Sequence, residues 1–129
     1  MSYTAISLDV PDRDKLIETI NLPKNSTWEV LCDHMTINMG LPKAEHAPML
    51  GKRAAMFVDA VGKIEGRVAA VRVFYCNIGG TEVKSTNKVA HITIAVNRGV
   101  NAKPVESNNI VSWEPLKADI VLRGTLCVY

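Results

Sequence analysis

At 129 residues the chain is long enough for one packed core and too short for two. Its composition, 47% hydrophobic and 22% charged, is that of a globular protein, and the apolar run Val68 to Ile78 is interrupted by Arg72 and too short to span a bilayer, so no transmembrane segment is expected. A net charge of +2 excludes the strongly basic balance typical of a general polyanion binder.

The charge is nonetheless uneven, with four Lys/Arg against seven Asp/Glu over residues 1–51 and eleven against six over residues 52–129. That asymmetry is either a local positive face for a phosphate or scatter over a solvated surface.

In chain order, Tyr3 to Val10 reads as a strand and Pro11 to Ile20 as a short helix, with Asp9 as its cap and Leu16, Ile17 and Ile20 facing the core. Asn21 to Thr27 is a polar loop, Trp28 to Met39 a β segment, and Pro42 to Arg53 a loop or irregular helix. Ala54 to Gly62 and Arg67 to Ile78 form a hairpin turning near Ile64 to Gly66, and Gly79-Gly80 ends its second strand. Lys88 to Val96 is a further strand, Asn97 to Asn109 a loop, and Asp119 to Val128 the last strand. Strands dominate and one helix is well signalled, so the expected class is α+β in a single domain covering residues 1–129.

Met1 to Val10 has no basic start and no apolar stretch leading to a small-residue cleavage site, so a cytoplasmic protein is expected. Cys32, Cys76 and Cys127 are odd in number and show neither zinc nor redox spacing, and buried free thiols are the expectation.

A short pattern occurs twice. Asp33-His34-Met35-Thr36-Ile37-Asn38 returns as Ala90-His91-Ile92-Thr93-Ile94-Ala95, each placing His-x-Thr-Ile in the heart of an expected strand. With eight threonines and ten isoleucines in the chain, about one His in two hundred would carry both at these offsets by accident, yet two of the three histidines do. Side chains alternate along a strand, so His34 shares a face with Thr36 and His91 with Thr93. If the two strands lie side by side, two imidazoles and two hydroxyls meet over one area, an arrangement suited to a phosphate. One imidazole takes a proton from water as general base, the other protonates the departing oxygen, and the hydroxyls donate to the non-bridging oxygens. The bland alternative is a pair of half-buried strands whose polar groups satisfy one another. A zinc site lacks parts, because Asp33 points away from His34 and no further His or Cys stands at ligand spacing, so no metal and no cofactor are expected.

Paired His-x-Thr strands resemble the signature of the 2H phosphoesterase superfamily. The segment from His91 through Asn109, with Lys103-Pro104-Val105-Glu106-Ser107-Asn108 as its most specific part, is similar to the cyclic phosphodiesterase domain of fungal tRNA ligases, and the similarity runs from about Trp28 to Tyr129. The resemblance implies hydrolysis of a 2′,3′-cyclic phosphate to a 2′-phosphate on a strand-rich bilobal fold, with His34 and His91 catalytic and Thr36 and Thr93 binding phosphate in a central cleft. These 129 residues carry no ligase or kinase module. The substrate is therefore open among an RNA end, a mononucleotide and a cyclic oligonucleotide, the last of which would suit a viral anti-defence enzyme. A non-catalytic nucleotide-binding module is the alternative of a different class. No membrane partner is expected, and oligomeric state is not legible.

Lys103, Ser107 and Asn108 are candidates to line the phosphate or ribose, the alternative being that they only shape a long loop. Lys84, Ser85 and Asn87 either border the cleft or form a polar turn. Trp28, Tyr75 and Trp113 either stack on a base or sit in the core. His46 is expected at the surface.

Overall fold

A computed structural model describes residues 2–20 and 27–129. The expected loop Asn21 to Thr27 therefore falls, save for Thr27, outside the described residues. Eight strands form one sheet: β1 (Tyr3–Leu8), β2 (Trp28–Val30), β3 (His34–Met39), β4 (Arg53–Ile64), β5 (Val68–Ile78), β6 (Thr81–Glu82), β7 (His91–Asn97) and β8 (Trp113–Val128), with one α-helix, α1 (Val10–Thr19), after β1. Short 3-10 turns at Ala47–Met49, Arg98–Val100 and Pro104–Asn109 complete the described structure. The strand-rich α+β class expected from the sequence holds. Among the described residues no helix is long and apolar enough to cross a membrane.

The strands run β7-β3-β1-β8-β4-β5, and β5 pairs again with β7, so six antiparallel strands close into a barrel. Closure removes the exposed edges that an open sheet would present. The β5–β7 ladder from Val68↔Val96 to Arg72↔His91 joins the sheet's ends. The barrel is filled by the buried, inward side chains of every wall, among them Ile6, Met35, Ile37, Met56, Val58, Val71, Ile92, Leu122 and Leu126. Leu16 and Ile20 at the end of α1 join the same core. Full burial of a side chain such as Leu16 contributes about 1.5–3 kcal/mol. Gly124 permits the close approach of β8 to β1, since a Cβ there would lie 2.2 Å from the Ser7 carbonyl oxygen.

The expected segment Trp28 to Met39 is broken. Cys32 adopts a left-handed φ of 50°, and the chain bends at residues 31–33. The bend is held by Leu31 N–H to Ile94 O (2.7 Å), Cys32 N–H to Thr93 O (3.1 Å) and Leu8 N–H to Asp33 O (2.9 Å). Arg13 on α1 adds a guanidinium bond to Leu31 O at 3.0 Å. Val30 pairs with Ala95 before the bend and Met35 with Ile92 after it, so the bend absorbs two extra residues. An even number keeps the alternation of faces intact, which leaves His34 and Thr36 on the opposite face from Met35. The last strand starts at Trp113, earlier than the expected Asp119, because its first residues pair with β4 through Gly62↔Trp113. His46, expected at the surface, is only 8% exposed.

Candidate functional site

The Met35↔Ile92 pair fixes how the two motifs meet. Both of these side chains are buried in the barrel, and one step along each antiparallel strand Thr36 falls opposite His91 and His34 opposite Thr93. In this register each histidine position stands across from the threonine position of the other motif on the barrel's outer face. The ladders extend this face: Ser7 pairs with His34 and Ala5 with Thr36 on β1, while Arg72 pairs with His91 and Ala70 with Thr93 on β5. All four motif residues are brought together, on the wall of a barrel.

The two halves are built differently. His91 is 9% exposed, and its Nδ1 lies 2.8 Å from the Val89 carbonyl oxygen. That carbonyl can only accept, so Nδ1 is the donor in this contact. Thr93 Oγ1 lies 2.8 Å from Ser107 Oγ, on the 3-10 turn Pro104–Asn109. Glu106 fastens that turn: its carboxylate accepts from Arg67 at 2.6 Å and 3.1 Å and from Lys103 N–H at 2.7 Å. The Arg67 guanidinium, then the Lys103 backbone, hold the Glu106 carboxyl below its ordinary range. Beneath the turn, Val68, Ala70, Val96, Ala102 and Ile110 form a second small apolar cluster.

His34 instead sits among aromatics. Its ring centroid lies 5.3 Å from that of Tyr3 and 5.0 Å from that of Tyr129, and the two tyrosines stack on each other at 5.0 Å. Its Nδ1 is buried and has no hydrogen-bond partner among the described residues. Burial pushes the His34 pKa below its ordinary 6.5, partly opposed by the Asp33 carboxylate and reinforced by His91. His34 is therefore held toward the neutral form.

The segment before β7 is latched to both motifs. Ser85 Oγ donates to Thr36 O at 2.8 Å and accepts from Asn87 N–H at 3.0 Å, and Val89 holds His91 as described. Of the residues proposed from sequence to bind substrate, Ser107 contacts a motif threonine. Asn108 is exposed and lines a cavity of about 490 Å³ beside the site. Lys103 is exposed and contributes its backbone N–H to Glu106. Of the three aromatics weighed as stacking residues, Trp113 lines that cavity, and Trp28 packs against the main core. Tyr75 meets Phe57 edge-on at 5.4 Å on the β4–β5 hairpin.

Two features escaped the sequence reading. Tyr3 and Tyr129 lie at opposite ends of the chain and meet only because β1 pairs with β8. Arg72, seen in the sequence only as an interruption of an apolar run, pairs with His91 and is pinned by a two-point ion pair to Asp59 at 2.9 Å and 3.1 Å. A positive charge on an otherwise Val- and Ala-rich strand was the available signal. A separate cavity of about 580 Å³, lined by residues such as Ile20, Trp28, Gly62 and Glu65, holds none of the motif residues. Among the described residues no group of three or more His, Cys, Asp or Glu side chains is gathered as a metal ion would need. Cys32 and Cys76 are buried free thiols whose pKa values burial pushes up to about 12, so neither is a ready nucleophile.

No protein-family model matches the chain, and neither does any curated protein or solved structure.

Proposed function

We propose that the chain is a phosphodiesterase of the 2H type that opens a 2′,3′-cyclic phosphate, on an RNA end or a nucleotide, to a 2′-phosphate without a metal ion. The observation that carries this reading is the antiparallel Met35↔Ile92 pair, whose register puts Thr36 opposite His91 and His34 opposite Thr93. The likeness to 2H enzymes rests on these paired motifs.

Burial suits His34 to the base, because it favours the neutral ring that can take a proton from the attacking water. His91 suits the acid: with Nδ1–H engaged by Val89 O in either charge state, a protonated Nε2 delivers its proton to O3′ as the P–O3′ bond breaks. The water oxygen becomes part of the 2′-phosphate, and the proton gained by His34 balances the one lost by His91. Thr36 and Thr93 donate to the non-bridging oxygens as charge builds there, with Ser107 holding the Thr93 hydroxyl. The same chemistry would cleave a cyclic oligonucleotide, and the geometry of the four groups favours neither substrate.

One observation favours a binding module instead. His34 Nδ1 has no partner among the described residues to fix its tautomer, whereas a catalytic imidazole is normally oriented by a second group.

Hydrolysis of 2′,3′-cyclic nucleotides and of an RNA with a cyclic-phosphate end, measured in EDTA, separates the two. The enzyme retains turnover in the chelator, yields a 2′-phosphate, and loses turnover in both His34→Ala and His91→Ala. Binding of the product nucleotide with no turnover of these substrates or of a cyclic oligonucleotide would establish the module.

A further inference from the structure

We infer that Arg72 is a further catalytic group outside the two motifs, donating from its guanidinium to one non-bridging phosphate oxygen, with Asp59 as the residue that aims it. The register of β5 and β7 carries the first part. Arg72 pairs with His91, and on the next rung Val73 N–H bonds to Ala90 O at 2.9 Å. The rungs of an antiparallel ladder alternate, so Arg72 and His91 form a non-hydrogen-bonded pair, the kind in which facing side chains stand closest. Val71 and Ile92, one step the other way, are buried in the barrel, so Arg72 and His91 both lie on its outer face. With Thr36 opposite His91 on β3, the row Arg72, His91, Thr36 crosses three adjacent strands at steps of about 4.8 Å. A phosphate over the motif residues therefore has Arg72 at its β5 margin.

The strand on the other side of Arg72 is distorted to hold it. Towards β5, β4 pairs Val58 with Val73 and Ala60 with Arg72; towards β8 it pairs Val58 with Ile120 and Ala60 with Pro115. Both ladders thus skip Asp59, while Val58 and Ala60 on either side of it are fully buried. A bulge of this kind re-aims a side chain and recurs beside active sites. An ion pair between neighbouring strands forms as readily on a regular ladder, so the pair alone does not account for the break. Asp59 accepts from Arg72 Nε at 2.9 Å and from Nη2 at 3.1 Å. The carboxylate takes one edge of the planar fork and leaves Nη1, off that edge, with no hydrogen bond among the described residues. A guanidinium suits this double task because it engages a carboxylate and a phosphate in one fixed plane. Thr36 and Thr93 are neutral donors, and Arg72 adds a held cation where negative charge builds. Arg72 stays protonated throughout and no bond to it forms or breaks.

The inference rests on the phosphodiesterase reading but is tested separately from it. Inorganic phosphate is titrated into the full chain, with sodium chloride at matched ionic strength as the control, while Arg72 Nε–H and the His91 ring are followed by NMR. Both groups should shift with one midpoint, and Arg72→Met should bind phosphate about ten-fold more weakly or worse. Arg72→Lys, which keeps the charge and loses the fork, covers the case in which Arg72→Met fails to fold, and should fall between the two. A His91 shift without one at Arg72, or unchanged affinity in Arg72→Lys, would overturn the role. A second measurement uses the two diastereomers of a cytidine 2′,3′-cyclic phosphorothioate, which place sulfur at one or the other non-bridging position. Arg72 meets one position only, so the ratio of their kcat/KM values should change by about ten-fold in Arg72→Lys. An arginine that only bridges strands would slow both diastereomers in proportion, and an unchanged ratio overturns the proposal. Phosphate shifts at Arg72 without turnover of any cyclic phosphate sink the phosphodiesterase reading and leave Arg72 as a phosphate ligand. Turnover with no Arg72 shift and no change in the ratio does the reverse.

Discussion

The two His-x-Thr strands carry the same four-residue pattern in opposite surroundings. His91 is nearly enclosed, its Nδ1 is committed to a backbone carbonyl, and its partner Thr93 is bonded to Ser107. His34 lies against Tyr3 and Tyr129 with Nδ1 unpartnered among the described residues, and burial lowers its pKa. A repeated motif thus does not dictate a repeated role. The strand sets the spacing of imidazole and hydroxyl, while the neighbours above the strand give each ring a different environment. A backbone carbonyl orients one ring, and burial shifts the other toward its neutral form.

The strongest way to break this comparison is to remove each ring and then both. His34→Ala and His91→Ala should each lower kcat by roughly 10²–10⁴-fold on a 2′,3′-cyclic nucleotide, the usual scale of a general acid or base. The double variant should be no worse than about the poorer single one, because in the proposed mechanism base and acid act in one step. Additive losses in steady-state kinetics would mean that the two rings do not work together.

A smaller effect sharpens the comparison on the hydroxyl side. Ser107→Ala removes the partner of Thr93 and leaves Thr36 untouched. A neutral hydrogen bond is worth about 1 kcal/mol, so kcat should fall about five-fold while the melting temperature stays close to that of the parent chain. Ser85→Ala severs a bond to the Thr36 backbone instead of its hydroxyl. It should destabilise the segment before β7 more than it slows the reaction, measurable as faster amide exchange at Asn87.

Much of this site was legible in the sequence because it obeys a two-residue period. The spacing of His34 with Thr36 and of His91 with Thr93 fixes a shared face on any strand, and the apolar partners Met35 and Ile92 fix which face is inward. The hairpin of β4 and β5 was equally plain from its Gly and charged turn. Pairings between distant segments were not legible. Closure through β5 and β7 depends on which edges meet, and a period of two is the same in an open sheet and a barrel. The bend at Cys32 was hidden for another reason: a non-glycine residue at positive φ follows from the contacts of Leu31 and Cys32 with β7, not from its own preference. His46 shows the limit of reading a lone residue in a loop, since its burial comes from tertiary contacts that no local pattern records.

The smallest predicted effect bears on the His34 half alone. Tyr129→Ala opens one side of the aromatic surround and readmits water, so the His34 pKa, measured by NMR titration, should rise toward its ordinary 6.5. The sign for stability follows from linkage. With the folded pKa below the unfolded one, the unfolded chain binds the extra proton, so the parent protein loses stability as pH falls from about 6.5 toward the folded pKa. The variant should lose less of its stability over that window, although ring removal lowers its stability at every pH. In the pH–rate profile the limb set by the general base should move to higher pH in Tyr129→Ala. If His34 is instead the acid, the opposite limb moves, and the roles of the two histidines exchange.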